Sequence, residues 1–343
     1  MVEFAHLHVH TEHSLLDGFG NAKQYISKAK EIGFKYIACT DHGNQDGLIK
    51  FQKEAEKQNI NPVLGCELYV VPDASIKVPK EFRHHITVLV KDNDGWQNLC
   101  RILTEANLHG FYYKPRADFD MLKKYSKGLV FLSGCTASVL TSKIGRDFFM
   151  ELNDLCPGDC YFEVMPHLFD DQVAVNKICL EYGIPLVASN DVHYVNEDDD
   201  MVQEVLLSIQ TKAKWSDKNR FRFETKGLFL RSAQQMKEAF QEQGVLTKSQ
   251  YLLAMRNTIE IAEKCSNFRI RRQDIFLPSI LMKDEPEDDF LEKLVHEGYN
   301  RLFTPLADLE DDAVYHERFL EEFDMIKKKK FVRYFLVVWE LAE

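Results

Sequence analysis

From residue 1 to about residue 210, short apolar runs of strand length alternate with amphipathic stretches of helical period. Such alternation is the pattern of parallel β/α units, in which each strand is followed by a helix that covers the sheet. Strands are expected at residues 4–9, 36–40, 63–71, 85–90, 129–133, 161–164 and 185–189. Seven strands approach a closed barrel. Helices are expected at 22–32, 45–58, 95–106, 173–182 and 199–210, with Asn21 a cap for the first.

Two further helices are expected in AQQMKEAFQEQ and SQYLLAMRNTIEIAEKC, between residues 233 and 265, where they could pack against the barrel. A chain of 343 residues accommodates one domain of about 250 residues and a smaller appendage without disulfide staples. A boundary near Leu277-Pro278 divides it into domains of 1–275 and 276–343. The acidic stretch at 284–289 and the basic run Lys327 to Lys330 are short and read as solvated faces. The last segment, FVRYFLVVWELAE, has an apolar helical pattern with no Gly or Asn to end it, so it reads as cut rather than finished.

The chemistry-bearing residues gather where strands end. His6, His8 and His10 alternate along the first strand, which puts them on one face. Asp17 follows in the loop SLLDG. The second strand ends in Thr40-Asp41-His42-Gly43, the third contains Gly65-Cys66-Glu67 and the fourth opens with His84-His85. The fifth runs into Ser133-Gly134-Cys135, and the last ends in Asn190-Asp191-Val192-His193. Loops at one rim of a barrel bring such residues together. Imidazole, carboxylate and one thiolate suit Zn, Mn or Fe better than Ca or a lone Mg. They are too many donors for one tetrahedral ion, so two or three divalent transition-metal ions are expected, with Glu67 able to bridge a pair. Clustered cations clamp a phosphate ester and activate water, which implies phosphate-ester hydrolysis. His6 is the weakest of its trio and reads as a deeper, hydrogen-bonded core residue. His13, His84, His109, His167, His296 and His316 are assigned to surface or loop.

Other chemistries fall away. The net charge of -11 argues against duplex binding through a broad basic surface. Eight scattered cysteines read as thiols, and Cys156 and Cys160 in CPGDC lack the second pair of a zinc knuckle. No P-loop and no G-x-S-x-G elbow is present. The N-terminal segment lacks a signal-peptide pattern and no run is long enough to span a bilayer, so no membrane partner and a cytoplasmic location are expected.

The segments HLHVHTEHSLLDG, TDHGNQDGLIKF, PVLGCELYV, ITVLVKDNDGWQNLCRI, GFYYKPRADFDML, GLVFLSGC and LVASNDVHYV, in that order, resemble the PHP (polymerase and histidinol phosphatase) domain of bacterial DNA polymerase III alpha subunits. ILMKDEPEDDFLEKLVHEGYNRL and FVRYFLVVWELAE resemble the stretch leading from that domain towards the polymerase palm. The resemblance implies an α/β fold, a distorted seven-stranded (β/α)7 barrel with a mostly helical C-terminal extension. It implies up to three metal ions at nine positions: one ion on His8, His10, Glu67 and Asp191, a second on Glu67, His85 and Cys135, and a third on Asp17, His42 and His193. The metal-bound water that attacks phosphorus is then held by Glu67, Asp191 and His193, and Arg116 of the YYKPR motif becomes a candidate phosphate or strand contact.

The activity implied is that of a 3′-to-5′ exonuclease acting on a single-stranded DNA 3′ end. The implied partners are the remainder of a replicative polymerase and a proofreading subunit. The palm's Gly-rich nucleotide loop and Asp-x-Asp motif are not found in this sequence, so DNA synthesis is not expected of it alone. Two alternatives stand beside this reading: a structural module that braces the polymerase and docks a proofreading subunit, and a small-molecule phosphatase or pyrophosphatase. The segments GWQNLCRI and GFYYKPR favour the polymerase branch over the latter.

Overall fold

Runs rich in Val, Ile, Leu and aromatic residues, bounded by Gly, Pro and Asn, supply the staves of a curled sheet in the computed structural model of the chain. The structure describes residues 3–78, 83–223, 225–271, 277–278, 285–303 and 312–342. They divide into two units, Met1–Ile270 and Arg271–Glu343. The boundary expected between 275 and 276 falls outside the described residues.

In the first unit the strands are β1 (Tyr36–Cys39), β2 (Asn61–Val71), β3 (His84–Val90), β4 (Arg116–Asp118), β5 (Leu129–Leu132), β6 (Cys160–Val164) and β7 (Leu186–Ala188). They pair in the order β1-β2-β3-β5-β6-β7. Residues 6–10 join the two ends of that path. His6 bridges to Ile37 of β1, and Val9 bridges to Val192 just past β7, both in parallel. The His10 N–H donates to the Val192 carbonyl (2.8 Å), and the Val192 N–H donates to that of His8 (3.1 Å). The expected first strand is thus an extended segment that changes partners midway, completing a distorted ring of seven staves.

The expectation of uniformly parallel strands fails at β3. It runs antiparallel to β2, with Glu67 opposite Thr87 and Tyr69 opposite His85, and antiparallel to β5. A parallel return needs a crossover, usually a helix. Residues 72–78 and 83, the described part of the connection, hold none. β4 was not foreseen. Its three residues pair in parallel with the far end of β2, Tyr69 to Val71, and are too few to show any alternation.

The helices of this unit are α1 (Ala22–Glu31), α2 (Leu48–Gln58), α3 (Asn93–Leu108), α4 (Phe119–Lys124), α5 (Lys143–Leu155), α6 (Asp170–Glu181), α7 (Asp200–Gln210), α8 (Ala233–Gln243) and α9 (Lys248–Cys265). Asn21 caps α1 in a reciprocal box with Gln24. The main apolar cluster includes Tyr25, Ile26, Phe51, Phe131, Phe149 and Phe162. A second cluster joins Leu7, Ala38, Val63, Leu89, Val130 and Val187 of the ring to Ile261, Ala262 and Cys265 of α9. The Ala5 N–H donates to Thr258 Oγ1 (2.9 Å), and Asn257 Nδ2 donates to the Leu186 carbonyl (2.7 Å). By these contacts α9 seals the ring at the end opposite the histidine-rich loops.

The second unit contains α10 (Glu287–Phe303), α11 (Asp312–Lys328) and α12 (Val332–Ala342), packed around Phe290, Leu291, Phe323, Val332 and Leu336. Lys327 and Lys328 are spent on ion pairs with Glu292 and Asp324. Among the described residues no helix is long and apolar enough to cross a membrane.

Replacing Thr258 by Val keeps the shape of the side chain but leaves the buried Ala5 N–H without its acceptor. A loss of about 1–3 kcal/mol in urea unfolding is expected. An unchanged midpoint would show that α9 is not anchored through this bond.

Candidate metal centre

Because β3 runs antiparallel to its neighbours β2 and β5, its opening residues lie at the rim where those strands end. His85 therefore meets residues delivered by the other strand ends. Glu67 of β2 is the hub. Its Oε1 lies 3.1 Å from His8 Nε2 and 3.3 Å from His85 Nδ1. Its Oε2 lies 2.6 Å from His42 Nδ1 and 3.5 Å from His10 Nε2. Asp191 Oδ1 is 3.3 Å from His8 Nε2, 3.2 Å from His10 Nε2 and 3.5 Å from His193 Nδ1. Asp17 reaches His42 Nε2 (3.1 Å) and His193 Nε2 (3.6 Å), while Cys135 Sγ lies 3.6 Å from His85 Nδ1. All nine residues singled out in the sequence thus converge on one rim.

Local backbone makes the convergence possible. Asp191 occupies the left-handed region at φ 48°, which costs a non-glycine residue roughly 1–2 kcal/mol. Asn190 holds that turn by donating to the carbonyls of Gly227 and Phe229, each at 2.8 Å. Gly134 has φ +88°, and a Cβ there would stand 2.3 Å from the His85 carbonyl oxygen. The loop that carries Cys135 can pass His85 only because position 134 is glycine.

Several donor atoms at this rim are buried without a hydrogen-bond partner: His8 Nε2, His10 Nε2, His42 Nδ1, both Glu67 oxygens and Asp191 Oδ1. Buried polar atoms are normally paired, so a concentration of orphans at one point calls for a cation. Three triads have donor atoms within 4.8 Å of one another: His10, His42 and His193; His8, His10 and Asp191; His42, Glu67 and His85. The donor set fits divalent metal ions.

Charges agree with that fit. Burial works against the Glu67 carboxylate, but His85, His8 and His42 outweigh it and hold its pKa well below the usual range. Asp191 is likewise held low against its burial by His193 and His8. Burial, then the neighbouring His42 and His193, lowers His10 to about 4, so its imidazole is neutral and able to ligate.

A second ring of residues fixes the ligands. Glu163 Oε1, fully buried in β6, sits 2.7 Å from His8 Nδ1, and its Oε2 accepts from the Gly134 N–H (3.1 Å). His10 Nδ1 lies 3.0 Å from Ser14 Oγ, which donates to Asp41 Oδ1 (2.7 Å). His193 Nδ1 lies 2.8 Å from the Asp191 carbonyl. Such partners set the tautomer and aim of a ligating imidazole. Sequence reasoning passed over Glu163. Its signal was a carboxylate inside an otherwise apolar buried strand.

Two expectations need correction. Arg116 is fully buried, and its guanidinium donates to the carbonyls of Gly110 (2.9 Å), Ile76 (2.9 Å) and Ala74 (2.7 Å). It ties loops together and is not poised to touch a phosphate or a strand. His84 is neither surface nor loop but opens β3, buried against the Ser138 carbonyl (3.1 Å); His167 lies in the loop after β6, as expected, but buried there against the Asn190 carbonyl (3.2 Å). His6, as expected, is a buried, hydrogen-bonded core residue outside the centre, with its ring against Phe4 and Phe34 and Nε2 at the Arg231 carbonyl (2.8 Å).

Comparison with known proteins places this geometry in context. Residues 6–167 match the family model of the PHP domain. The DNA polymerase III subunit alpha of Borreliella burgdorferi is 35% identical over 99% of this chain and 30% of its own length. That of Treponema pallidum is 35% identical over 99% of this chain and 29% of its own length. That of Deinococcus radiodurans is 35% identical over 77% and 21% respectively. The chain spans about 30% of the length of the first two.

Burial first, then Arg231, lowers the His167 pKa from 6.5 to about 4. A base held low in the fold stabilises it fully above its ordinary pKa and less as pH falls towards the lowered value. Acid unfolding of His167→Gln, compared with the unaltered chain, is therefore expected to show a smaller loss of stability between pH 6.5 and 4. Equal losses would mean that His167 is not buried as the neutral base.

Proposed function

This chain carries a PHP domain and is homologous to DNA polymerase III alpha subunits, and on that footing we propose that it is a metal-dependent phosphodiesterase that shortens single-stranded DNA from its 3′ end. The observation that carries the reading is the buried Glu67 carboxylate set among four imidazoles, with both its oxygens and three of the facing nitrogens, His8 Nε2, His10 Nε2 and His42 Nδ1, left without a hydrogen bond.

In this reading His8, His10, Glu67 and Asp191 hold one ion, Glu67, His85 and Cys135 a second, and Asp17, His42 and His193 a third. Zn, Mn or Fe suits the mixture of imidazole, carboxylate and thiol. Such ions, when bound, neutralise phosphate charge and make water a nucleophile near neutral pH. The chain's own residues do the rest. Glu67, Asp191 and His193 surround the place of the attacking water. His193 Nδ1–H donates a hydrogen bond to the Asp191 carbonyl, which leaves Nε2 free to ligate. Glu163 and Ser14 keep His8 and His10 from turning away. In the cell the chain would act beside the rest of a replicative polymerase in the cytoplasm.

The test is incubation of a 5′-labelled single-stranded oligonucleotide with the purified chain, with Mn or Zn, with chelator, and beside Asp191→Ala. Stepwise shortening from the 3′ end is expected, lost with chelator and at least a hundredfold slower in the variant. An oligonucleotide left intact by folded, metal-loaded chain would overturn the exonuclease reading. Turnover of pyrophosphate or a phosphomonoester in the same sample would then point to a small-molecule substrate.

A further inference from the structure

Two segments outside the ligand set reach the metal centre, and both interleave aromatic with basic side chains. The first is Phe111 to Arg116. Buried Arg116 anchors it, Lys114 Nζ stands 5.2 Å from the centre of the Tyr69 ring, and Tyr69 stacks on His42 at 5.7 Å and 22°. Its tip exposes Phe111 and Tyr113. The second segment runs from 212 to 226. Phe223 meets His193 at 5.3 Å, and Phe221 meets Phe223 at 5.7 Å. Phe221 and Trp215 are about half exposed, at 54% and 49%, and the Arg220 guanidinium covers one face of Trp215 at 4.2 Å.

A series of rings therefore runs through the centre in the order Tyr69, His42, His10, His193, Phe223 and Phe221, with separations of 4.1–5.7 Å. The second segment is also a local reversal of charge. In a chain of net charge -11, it holds Lys212, Lys214, Lys218, Arg220, Arg222 and Lys226 against Asp217 and Glu224. Arg220 and Arg222 pair with Glu204, and Lys226 with Asp200. Lys214 and Lys218 are exposed and have no ion pair among the described residues.

A scattered exposed aromatic needs no explanation. Here the exposed rings adjoin unpaired cations, and their loops reach the donor cluster from two sides, one at His193 through Phe223 and the other at His42 by way of Tyr69. A small phosphate ester calls for an enclosed pocket with a few converging polar groups. Ring faces and ammonium groups set out along a rim instead match successive bases and phosphates of a single strand. Duplex bases are already stacked and offer no free face. We propose that these two loops form a single-strand clamp, with Trp215 and Phe221 on one side and Tyr113 on the other stacking bases next to the scissile phosphodiester. Lys114, Lys214 and Lys218 take phosphates. The position of the scissile bond rests on the phosphodiesterase reading, whereas binding by the loops does not require hydrolysis.

The test uses the whole metal-loaded chain and a fluorescent twelve-nucleotide oligothymidylate with phosphorothioate linkages at its 3′ end, read by anisotropy. Trp215→Ala with Phe221→Ala is expected to weaken binding about tenfold or more. Lys214→Ala with Lys218→Ala is expected to lower the slope of log K against log salt by about 1.4, at about 0.7 per lost phosphate contact. The four residues are exposed, so thermal midpoints should stay within a degree or two of each other. Both double variants binding within twofold of the unaltered chain would overturn the clamp, as would equal affinity for a polyglutamate peptide of similar charge. Loop-dependent binding of an oligonucleotide whose ordinary phosphodiester form stays uncut would support the clamp while removing the exonuclease reading.

Discussion

A carboxylate buried among imidazoles is the interaction on which the rest of this structure depends. Glu67 is 1% exposed and lies within 3.5 Å of a ring nitrogen from each of four histidines. Taking such a charge out of water costs several kcal/mol unless partners compensate. The partners come from the segment at 6–10, from the end of β1 and from the start of β3, so the ring must close, and β3 must run backwards, for the charge to be tolerated at all. Closure in turn rests on the few hydrogen bonds that stitch residues 6–10 to β1 and to Val192. Fold and site are therefore one problem: the extended segment that completes the ring is also the one that carries His8 and His10.

The layers around Glu67 differ in what they contribute. The ligand-type residues lie on loops and strand ends, where geometry is easily lost. The residues that hold them lie deeper. Glu163 is anchored within β6, Asp41 gathers Thr11 and Ser14 by three hydrogen bonds, and Asn190 clamps the turn that carries Asp191. Strain at Asp191 is thus offset by bonds made from a residue that never touches the centre.

Much of this was legible in the sequence, for physical reasons. Strands such as HHITVLV and LVFL announce themselves because apolar and β-branched residues fit a covered sheet. The donor residues stood out because His, Asp, Glu and Cys recur at the ends of those runs. What escaped depends on contacts remote in sequence. The direction of β3 was hinted at only by His84-His85 opening a strand instead of closing one. Arg116 in YYKPR resembled an exposed phosphate contact, because nothing local reveals that residues 74–76 and 110 enclose it. The alternation in KNRFRF was visible, but only folding brings Phe223 against His193.

The most direct test of the central claim is the metal content of the purified chain after dialysis against Zn or Mn at neutral pH, measured beside Glu67→Gln. The amide keeps the shape of the side chain but removes the charge that two ions would share. Two or three divalent ions per unaltered chain, falling to one or none in the variant, is the predicted result. A folded, unaltered chain that retains no ion, or a variant that retains the full complement, would contradict the account.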